Sequence, residues 1–170
     1  MTKNEKRFTM IIVAVAFLAI VAVILFNVPW GGDKAAINKE YDSIESNDHV
    51  FVSITFEKLI EKIQNNETFQ VYIGSGELPQ AENFVYVTNQ LAKKRGIDTI
   101  YYLRYSDLSS SEWLEIQTLS STDMSVPTLI YWVEDETESV PPFISGLKKF
   151  EDYNYNWSIL LTEYFDECYQ

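Results

Sequence analysis

The chain has 170 residues, of which 46% are hydrophobic and 15% aromatic, and its formal net charge is -12. The aromatic content excludes a disordered chain, and the length suffices for one compact domain with a hydrophobic core. The negative charge disfavours binding to nucleic acid and to anionic lipid, and it favours binding to a basic partner or to cations. The alternative is that the charge only keeps the protein surface soluble. The single cysteine, Cys168, excludes an internal disulfide and a CxxC pair.

An uncharged apolar segment lies near the N-terminus. From Phe8 to Phe26 only Thr9 is not apolar, and a helix of this length would span roughly 28 Å, close to the ~30 Å hydrocarbon layer of a bilayer. No small-x-small cleavage site follows it, which disfavours a cleaved signal peptide. We therefore predict three N-terminal segments: a cytoplasmic head at 1–7, a transmembrane helix at 8–28 and a polar linker at 29–49 that is partly helical from Ala35 to Ser43.

The charges before the apolar segment predict its orientation. Lys3, Lys6 and Arg7 precede the helix, and the positive-inside rule places such residues in the cytoplasm. The sequence thus predicts a single-pass cell-membrane protein whose N-terminus is cytoplasmic and whose domain at 50–170 is extracellular.

Strands and helices alternate along that domain. Runs of β-forming residues predict strands at 50–54, 68–73, 99–103, 126–133 and 141–146. Helical spacing of apolar residues predicts helices after the N-cap Thr55, from Leu78–Pro79 to Arg95, at 112–118 and at 156–168. The early βαβ units predict parallel strands covered by helices, and the late strand pair predicts an antiparallel hairpin. The predicted fold is therefore α/β, with a central mixed sheet flanked by helices.

Two short motifs sharpen this interpretation. Ser125-Val126-Pro127-Thr128 stands at the head of a predicted buried strand, and Val71-Tyr72-Ile73-Gly74 ends another strand before a turn and a helix. Together with the element order, they resemble the thioredoxin-like superfamily. In that family the proline of the Val-Pro-Thr motif is cis, and the redox CxxC lies at the helix start that follows the second strand. The resemblance covers about residues 50–165.

More narrowly, the chain resembles the bacteriocin transport accessory proteins of Gram-positive bacteria. Those proteins have a strand ending in Tyr-Ile-Gly, followed by Cys-Pro-x-Cys. Here Tyr72-Ile73-Gly74 is present, but the ungapped match replaces the redox motif by Leu78-Pro79-Gln80-Ala81. Thiol–disulfide exchange needs an attacking thiolate and a resolving partner. Because Leu78 and Ala81 stand where the resemblance places the two cysteines, we expect a protein without oxidoreductase activity.

The same resemblance implies a binding groove where the redox site has been lost. We name as the pseudo-active site the residues that it would comprise: Glu77, Leu78, Pro79, Gln80, Ala81, Val126, Pro127 and Thr128. In the resembled fold, a peptide lies beside the cis-proline loop and bonds to the residue before the proline, as in strand addition. The alternative is that Leu78 and Ala81 merely pack and the groove is vestigial.

No other chemistry stands out in the sequence. The only histidine, His49, is expected at the surface of the linker, and the acidic residues at 134–138 are expected to form a solvated hairpin tip. No Cys/His cluster has metal-ligand spacing, so we expect neither a metal nor a cofactor.

Three functional hypotheses follow. The first is a redox-inactive binding or scaffold protein that holds a peptide or protein partner outside the cytoplasm; accessory work in bacteriocin export or immunity is what the resemblance implies. The second is a thiol-linked redox helper acting through Cys168. The third is a structural subunit of an envelope complex that associates through its membrane helix.

Overall fold

A computed structural model describes residues 32–133, 143–145 and 156–169, with 143–145 described for their backbone alone. The predicted head, the membrane helix at 8–28 and the acidic residues at 134–138 lie outside the described residues. Among the residues that are described, no helix is both long enough and apolar enough to cross a bilayer.

Five strands form one mixed sheet. They are β1 (Phe51–Ser53), β2 (Phe69–Gly74), β3 (Ile100–Arg104), β4 (Thr128–Trp132) and β5 (Phe143–Ser145). The strand order is β1-β3-β2-β4-β5. The first three strands are mutually parallel, β4 runs antiparallel to β2, and β5 pairs antiparallel with β4 at the edge.

Helices cover both faces of the sheet. They are α1 (Gly32–Glu40), α2 (Phe56–Gln64), α3 (Ala81–Lys94), α4 (Ser110–Leu119) and α5 (Trp157–Cys168), with a 3₁₀ turn at Tyr105–Asp107. Side chains of α1, α3 and α5 meet one sheet face in a first core cluster, and those of α2 and α4 meet the other face in a second. The α/β arrangement of β1 to β4, a mixed sheet flanked by helices, is compatible with a thioredoxin-like fold.

The central strand β2 shows why the sheet needs two layers of helices. Side chains alternate across a strand, so Tyr72 enters the first core cluster whereas Val71 and Ile73 enter the second. Every residue of β2 is buried. A strand covered on both faces has a nearly continuous apolar run, here interrupted by the buried Gln70, and such a run of β-forming residues is the signal that predicted it.

The helix after β2 begins later than the sequence predicts. Its N-cap is Gln80, whose backbone is left-handed with φ of 65°. Leu78 precedes the helix in a turn: its N–H donates to the Ser75 carbonyl at 3.1 Å, and the Ala81 N–H donates to the Leu78 carbonyl at 3.2 Å. Pro79 therefore lies in this turn and not in the first turn of the helix.

Much of the predicted linker belongs to the folded domain. Residues 32–40 form α1, and Ile37, Tyr41 and Ile44 are all buried in the first core cluster. These three apolar residues are spaced so that one side of the segment faces the sheet, while polar residues such as Lys39 and Asp42 are exposed between them. The predominance of those polar residues is what made the segment resemble a spacer.

His49 is buried, so its expected place at the surface is wrong. Its Nδ1 accepts the Phe51 N–H at 3.2 Å, and its Nε2 lies 2.9 Å from the Lys34 carbonyl oxygen. The two contacts together require a neutral ring that carries its proton on Nε2. Burial lowers the pKa of His49 below its ordinary value, although the hydrogen bond to Lys34 opposes the shift.

Candidate functional site

The register of the sheet brings the two parts of the pseudo-active site to one edge. Thr128, the first residue of β4, pairs with Ile73, the penultimate residue of β2. The turn after Gly74 and the Val126–Pro127 segment therefore leave the sheet side by side. The Val126–Pro127 peptide bond is cis, which confirms the expectation from the motif.

The eight residues of the pseudo-active site differ in accessibility. Glu77, Pro79 and Gln80 are exposed, and Leu78 and Val126 are half-buried. Ala81, Pro127 and Thr128 are buried. The side chain of Ala81 fills the first core cluster and is not available to a ligand.

The two half-buried residues belong to opposite sides of the sheet. Leu78 packs against the first core cluster, whereas Val126 packs against the second. A ligand here would meet the exposed side chains of Glu77, Pro79 and Gln80 before it met Leu78 or Val126.

The chain after α1 lies across the beginning of α3. The N–H groups of Asp42 and Ser43 donate to the carboxylate of Glu82 at 3.0 and 2.9 Å, and the Ser43 hydroxyl donates to the Glu82 carbonyl at 3.0 Å. Glu82 lies in the first turn of α3. The start of α3 is thus tied by hydrogen bonds to the segment that follows α1.

A charged cluster lies beside the turn after β2. The Glu40 carboxylate accepts hydrogen bonds from Arg104 Nη2 at 2.6 Å and Nε at 3.0 Å, from the Tyr102 hydroxyl at 2.6 Å and from the Gly76 N–H at 3.1 Å. Burial acts to raise the pKa of Glu40, but these hydrogen bonds outweigh it and lower the pKa below its ordinary value. Glu40 therefore joins α1, β3 and the turn after β2 as an ionised group.

Three buried tyrosines extend this cluster into the first core. The Tyr41 hydroxyl lies 3.1 Å from that of Tyr102 and 3.3 Å from that of Tyr72. The Tyr102 hydroxyl, which donates its proton to Glu40, also lies 3.3 Å from the Gly74 carbonyl oxygen. Burial raises the pKa of all three above the ordinary value. They are neutral hydrogen-bonding groups at neutral pH, and their function in the cluster is to satisfy one another's polar atoms.

Sequence reasoning missed this cluster. Glu40 falls in the predicted linker and Arg104 just beyond a predicted strand, 64 positions apart in the sequence. The one signal in the sequence is Gly74-Ser75-Gly76, whose glycines make room for neighbouring side chains. A Cβ on Gly76 would lie 2.5 Å from the Glu40 carbonyl oxygen, and one on Gly74 would lie 2.2 Å from the Tyr72 hydroxyl.

Two cavities open on either side of Arg104. The first, of about 350 Å³, lies among the ends of β1 and β3 and the starts of α2 and α4. The second, of about 600 Å³, lies between the end of α1, the turn after β2 and the 3₁₀ turn. Arg104 and Asp107 line both. This edge holds the carboxyl ends of the parallel strands, where open α/β sheets commonly bind ligands.

Metal ligands and thiols are few among the described residues. No cluster of three or more His, Cys, Asp or Glu residues that could hold a metal ion occurs among them. Cys168 is half-buried at the end of α5, and burial raises the pKa of its thiol to about 11. At neutral pH the thiol is therefore protonated and a poor nucleophile.

Neither a search of protein-family models nor a search of curated proteins finds a match to this chain. The class of protein that the structure defines is an α/β domain in which helices flank a mixed sheet. This architecture is compatible with a thioredoxin-like fold.

Proposed function

We propose that this chain is a membrane-anchored, redox-inactive protein of the thioredoxin-like class that binds a protein or peptide partner outside the cytoplasm. The observation that carries the proposal is the edge formed by Glu77–Gln80 and Val126. The pairing of Ile73 with Thr128 brings the two segments to the same edge, and Glu77, Pro79 and Gln80 are exposed to a ligand. None of these residues carries a thiol. The proposal includes an accessory function in bacteriocin export or immunity, and this part is supported by the family resemblance alone.

The topology supports the thioredoxin-like part of the proposal. The order β1-β3-β2-β4-β5, with three parallel strands and an antiparallel pair at one edge, is the arrangement that the resemblance implies. In this proposal the turn after β2 corresponds to the redox motif, and the Val126–Pro127 segment corresponds to the cis-proline loop.

Burial of Cys168 argues against the thiol-linked alternative. The thiol packs against the first core cluster, and its pKa of about 11 leaves little thiolate at neutral pH. It lies at the end of α5, whereas the pseudo-active site lies at the edge where β2 ends and β4 begins. A binding function uses the exposed edge without needing this residue.

Partner capture tests the proposal. The tagged full-length chain is isolated from its native membrane as wild type and as the double variant Pro79→Arg with Gln80→Arg, two exposed positions of the pseudo-active site. The control is Gln90→Arg with Thr99→Arg, which adds the same charge at exposed positions elsewhere. We expect the first variant to reduce the recovered partner by about tenfold, because the loss of a central interface contact costs about 1–2 kcal/mol or more in binding free energy. The control variant should retain the partner.

Other outcomes have defined meanings. A partner that survives in both variants would contradict binding at the pseudo-active site and would favour association through the membrane helix. Complete failure to capture any partner would contradict the binding function itself. Loss of the partner on Cys168→Ser would favour the thiol-linked helper. Protease treatment of intact cells checks the orientation, because only an extracellular domain is accessible to cleavage.

A further inference from the structure

Strand β1 lies at one edge of the sheet, where it pairs with β3 alone among the described strands. The N–H of Ile54 donates to β3, and backbone groups alternate in direction along a strand, so the N–H groups of Phe51 and Ser53 point away from the sheet. Both are occupied by side chains: Phe51 donates to His49 Nδ1 at 3.2 Å, and Ser53 donates to the Asp33 carboxylate at 2.6 Å. These acceptors close an edge that would otherwise be open to pairing with another strand.

The side chains that close this edge are tied to the first turn of α1. Asp33 belongs to that turn. The Nε2 atom of His49 lies 2.9 Å from the Lys34 carbonyl oxygen, and Lys34 Nζ donates to the His49 carbonyl. The buried imidazole ring therefore connects β1 to the beginning of α1 through both of its nitrogen atoms.

The other end of α1 is held by contacts that do not involve His49. Glu40, the last residue of the helix, accepts hydrogen bonds from Arg104 and from the Gly76 N–H. Tyr41 follows it and is fully buried in the first core cluster. The first turn of α1 is thus held by a few hydrogen bonds at the sheet edge, whereas its end is held by an ion pair and by the core.

A second proton on the His49 ring is incompatible with the closed edge. A protonated imidazole is a donor at both nitrogen atoms. Its Nδ1–H would then face the Phe51 N–H, and two donors cannot share a hydrogen bond. Protonation therefore requires the ring to leave its position between β1 and α1.

Charged groups from three segments surround the ring. Burial is the largest influence and lowers the pKa of His49; the ammonium groups of Lys34 in α1 and Lys93 in α3 act in the same direction, while the Asp33 carboxylate opposes them. Asp48, which directly precedes the ring in the chain, is paired with Lys93 at 2.8 Å. The closed arrangement thus favours the neutral ring.

We propose that His49 is a pH-sensitive latch: its protonation releases the first turn of α1 from β1 and opens the edge of the sheet, while the end of α1 at Glu40 stays docked. The physical basis is linkage, because the open state binds a proton more tightly than the closed state, and acid therefore increases its population. This inference concerns the β1 edge and does not depend on the pseudo-active site.

Amide hydrogen exchange of the full-length chain in neutral detergent, resolved by NMR, tests the latch. Rates at about pH 7.5 and about pH 5.5 are converted to protection factors, which removes the intrinsic pH dependence of exchange. We expect the protection of Phe51 and Ser53 to fall about threefold to tenfold at the lower pH, because one proton shifts an equilibrium by at most about tenfold per pH unit. Ile54 and Ile100, whose N–H groups bond between β1 and β3, should keep their protection.

Ser53 distinguishes a latch from a change confined to the ring. Its partner is Asp33 and not His49, so its protection falls only if the first turn of α1 leaves β1. Loss of protection at Phe51 alone would overturn the latch. An equal loss at Ile54 would also overturn it, because the sheet itself would then be unfolding.

The matched variant for the exchange experiment is His49→Gln. The glutamine amide offers one acceptor and a donor group but does not titrate, so Phe51 and Ser53 should have the same protection at both pH values. A loss in acid that persists in this variant would assign the effect to another group and overturn the latch. The wild-type measurement decides the matter by itself if the variant does not fold.

Two substitutions of Asp33 provide an independent measurement, the midpoint of the His49 titration by NMR. Asp33→Asn removes the charge but keeps an oxygen acceptor for the Ser53 N–H, whereas Asp33→Ala removes both. The two variants lose the same electrostatic support for a charged ring, but only Asp33→Ala weakens the latch. Because coupling is reciprocal, its midpoint should lie above that of Asp33→Asn. Equal midpoints would overturn the coupling between the first turn of α1 and His49.

Discussion

Glu40 and Arg104 form a paired hydrogen bond, with Nη2 at 2.6 Å and Nε at 3.0 Å from the same carboxylate oxygen. The pair connects the end of α1 to the end of β3. The Glu40 side chain is 15% exposed and that of Arg104 is 40% exposed. Because the pair is partly buried, it contributes more to the free energy of unfolding than a fully solvated ion pair does.

Removing Arg104 should destabilise the fold. Arg104→Met leaves the Glu40 carboxylate largely buried without its strongest donor, and we expect a loss of about 2 kcal/mol in the free energy of unfolding. Lys93→Met is the control, because the Lys93–Asp48 pair is more exposed, at 35% and 89%, and should cost less than about 1 kcal/mol. Equal losses in denaturant unfolding would contradict a special role for the Glu40–Arg104 pair.

The same carboxylate should contribute to acid sensitivity. Since the pKa of Glu40 is lower in the folded than in the unfolded protein, its stabilising contribution is complete above the ordinary value of 4.5 and declines as the pH falls through the folded pKa. Glu40→Gln should therefore show a shallower loss of stability than wild type between about pH 5 and about pH 3. Parallel curves of unfolding free energy against pH would contradict this expectation.

Gly76 should tolerate no side chain. The Cβ of Gly76→Ala would lie 2.5 Å from the Glu40 carbonyl oxygen and 2.9 Å from its Cγ, so backbone must move, at a cost of about 2–3 kcal/mol. Gly96→Ala is the control: its Cβ meets no atom within 4 Å, but its φ of 71° is left-handed, which costs about 1 kcal/mol. A larger thermal shift for Gly96→Ala would refute the close approach.

His49 should titrate at an unusually acidic pH. Burial lowers its pKa below the ordinary value of 6.5, so the stability from its neutral form is complete above about pH 6.5 and is lost as the pH falls through the folded pKa. It is the only histidine in the chain, so a single NMR resonance reports its titration. A midpoint at or above the ordinary value would contradict the buried neutral ring, and His49→Gln should remove this part of the pH dependence.

Cys168 should react slowly with alkylating reagents. A pKa of about 11 against the ordinary 9.0 leaves about a hundredth of the usual thiolate near pH 8. We expect iodoacetamide labelling of the folded chain about 100-fold slower than that of the unfolded chain, which serves as the control. Fast labelling of the folded protein would restore the thiol-linked alternative.

Local signals predicted most of the elements. Thr55 was expected as an N-cap, and its hydroxyl accepts the Lys58 N–H at 3.4 Å. Asn156 starts the last helix as expected, with its side chain accepting the Ser158 N–H at 3.0 Å. These predictions succeed because a cap and the apolar spacing behind it depend on neighbours within one or two turns.

Predictions that needed distant contacts were less accurate. Ile37, Tyr41 and Ile44 lie among polar residues, and only the sheet face they cover explains their burial. Helix α3 begins at Ala81 and not near Leu78, because turn hydrogen bonds occupy the residues before it. His49 is buried because Lys34 and Phe51 provide its hydrogen-bond partners.

The sequence by itself determined the absence of a redox motif, the alternation of strands and helices, and the apolar segment that predicts a membrane anchor. Each of these depends on residue identity or on short-range spacing. Only the tertiary structure decided that Glu40 meets Arg104 and that two cavities open beside Arg104. Contacts between residues 64 positions apart depend on strand register and helix docking, which local propensity does not specify.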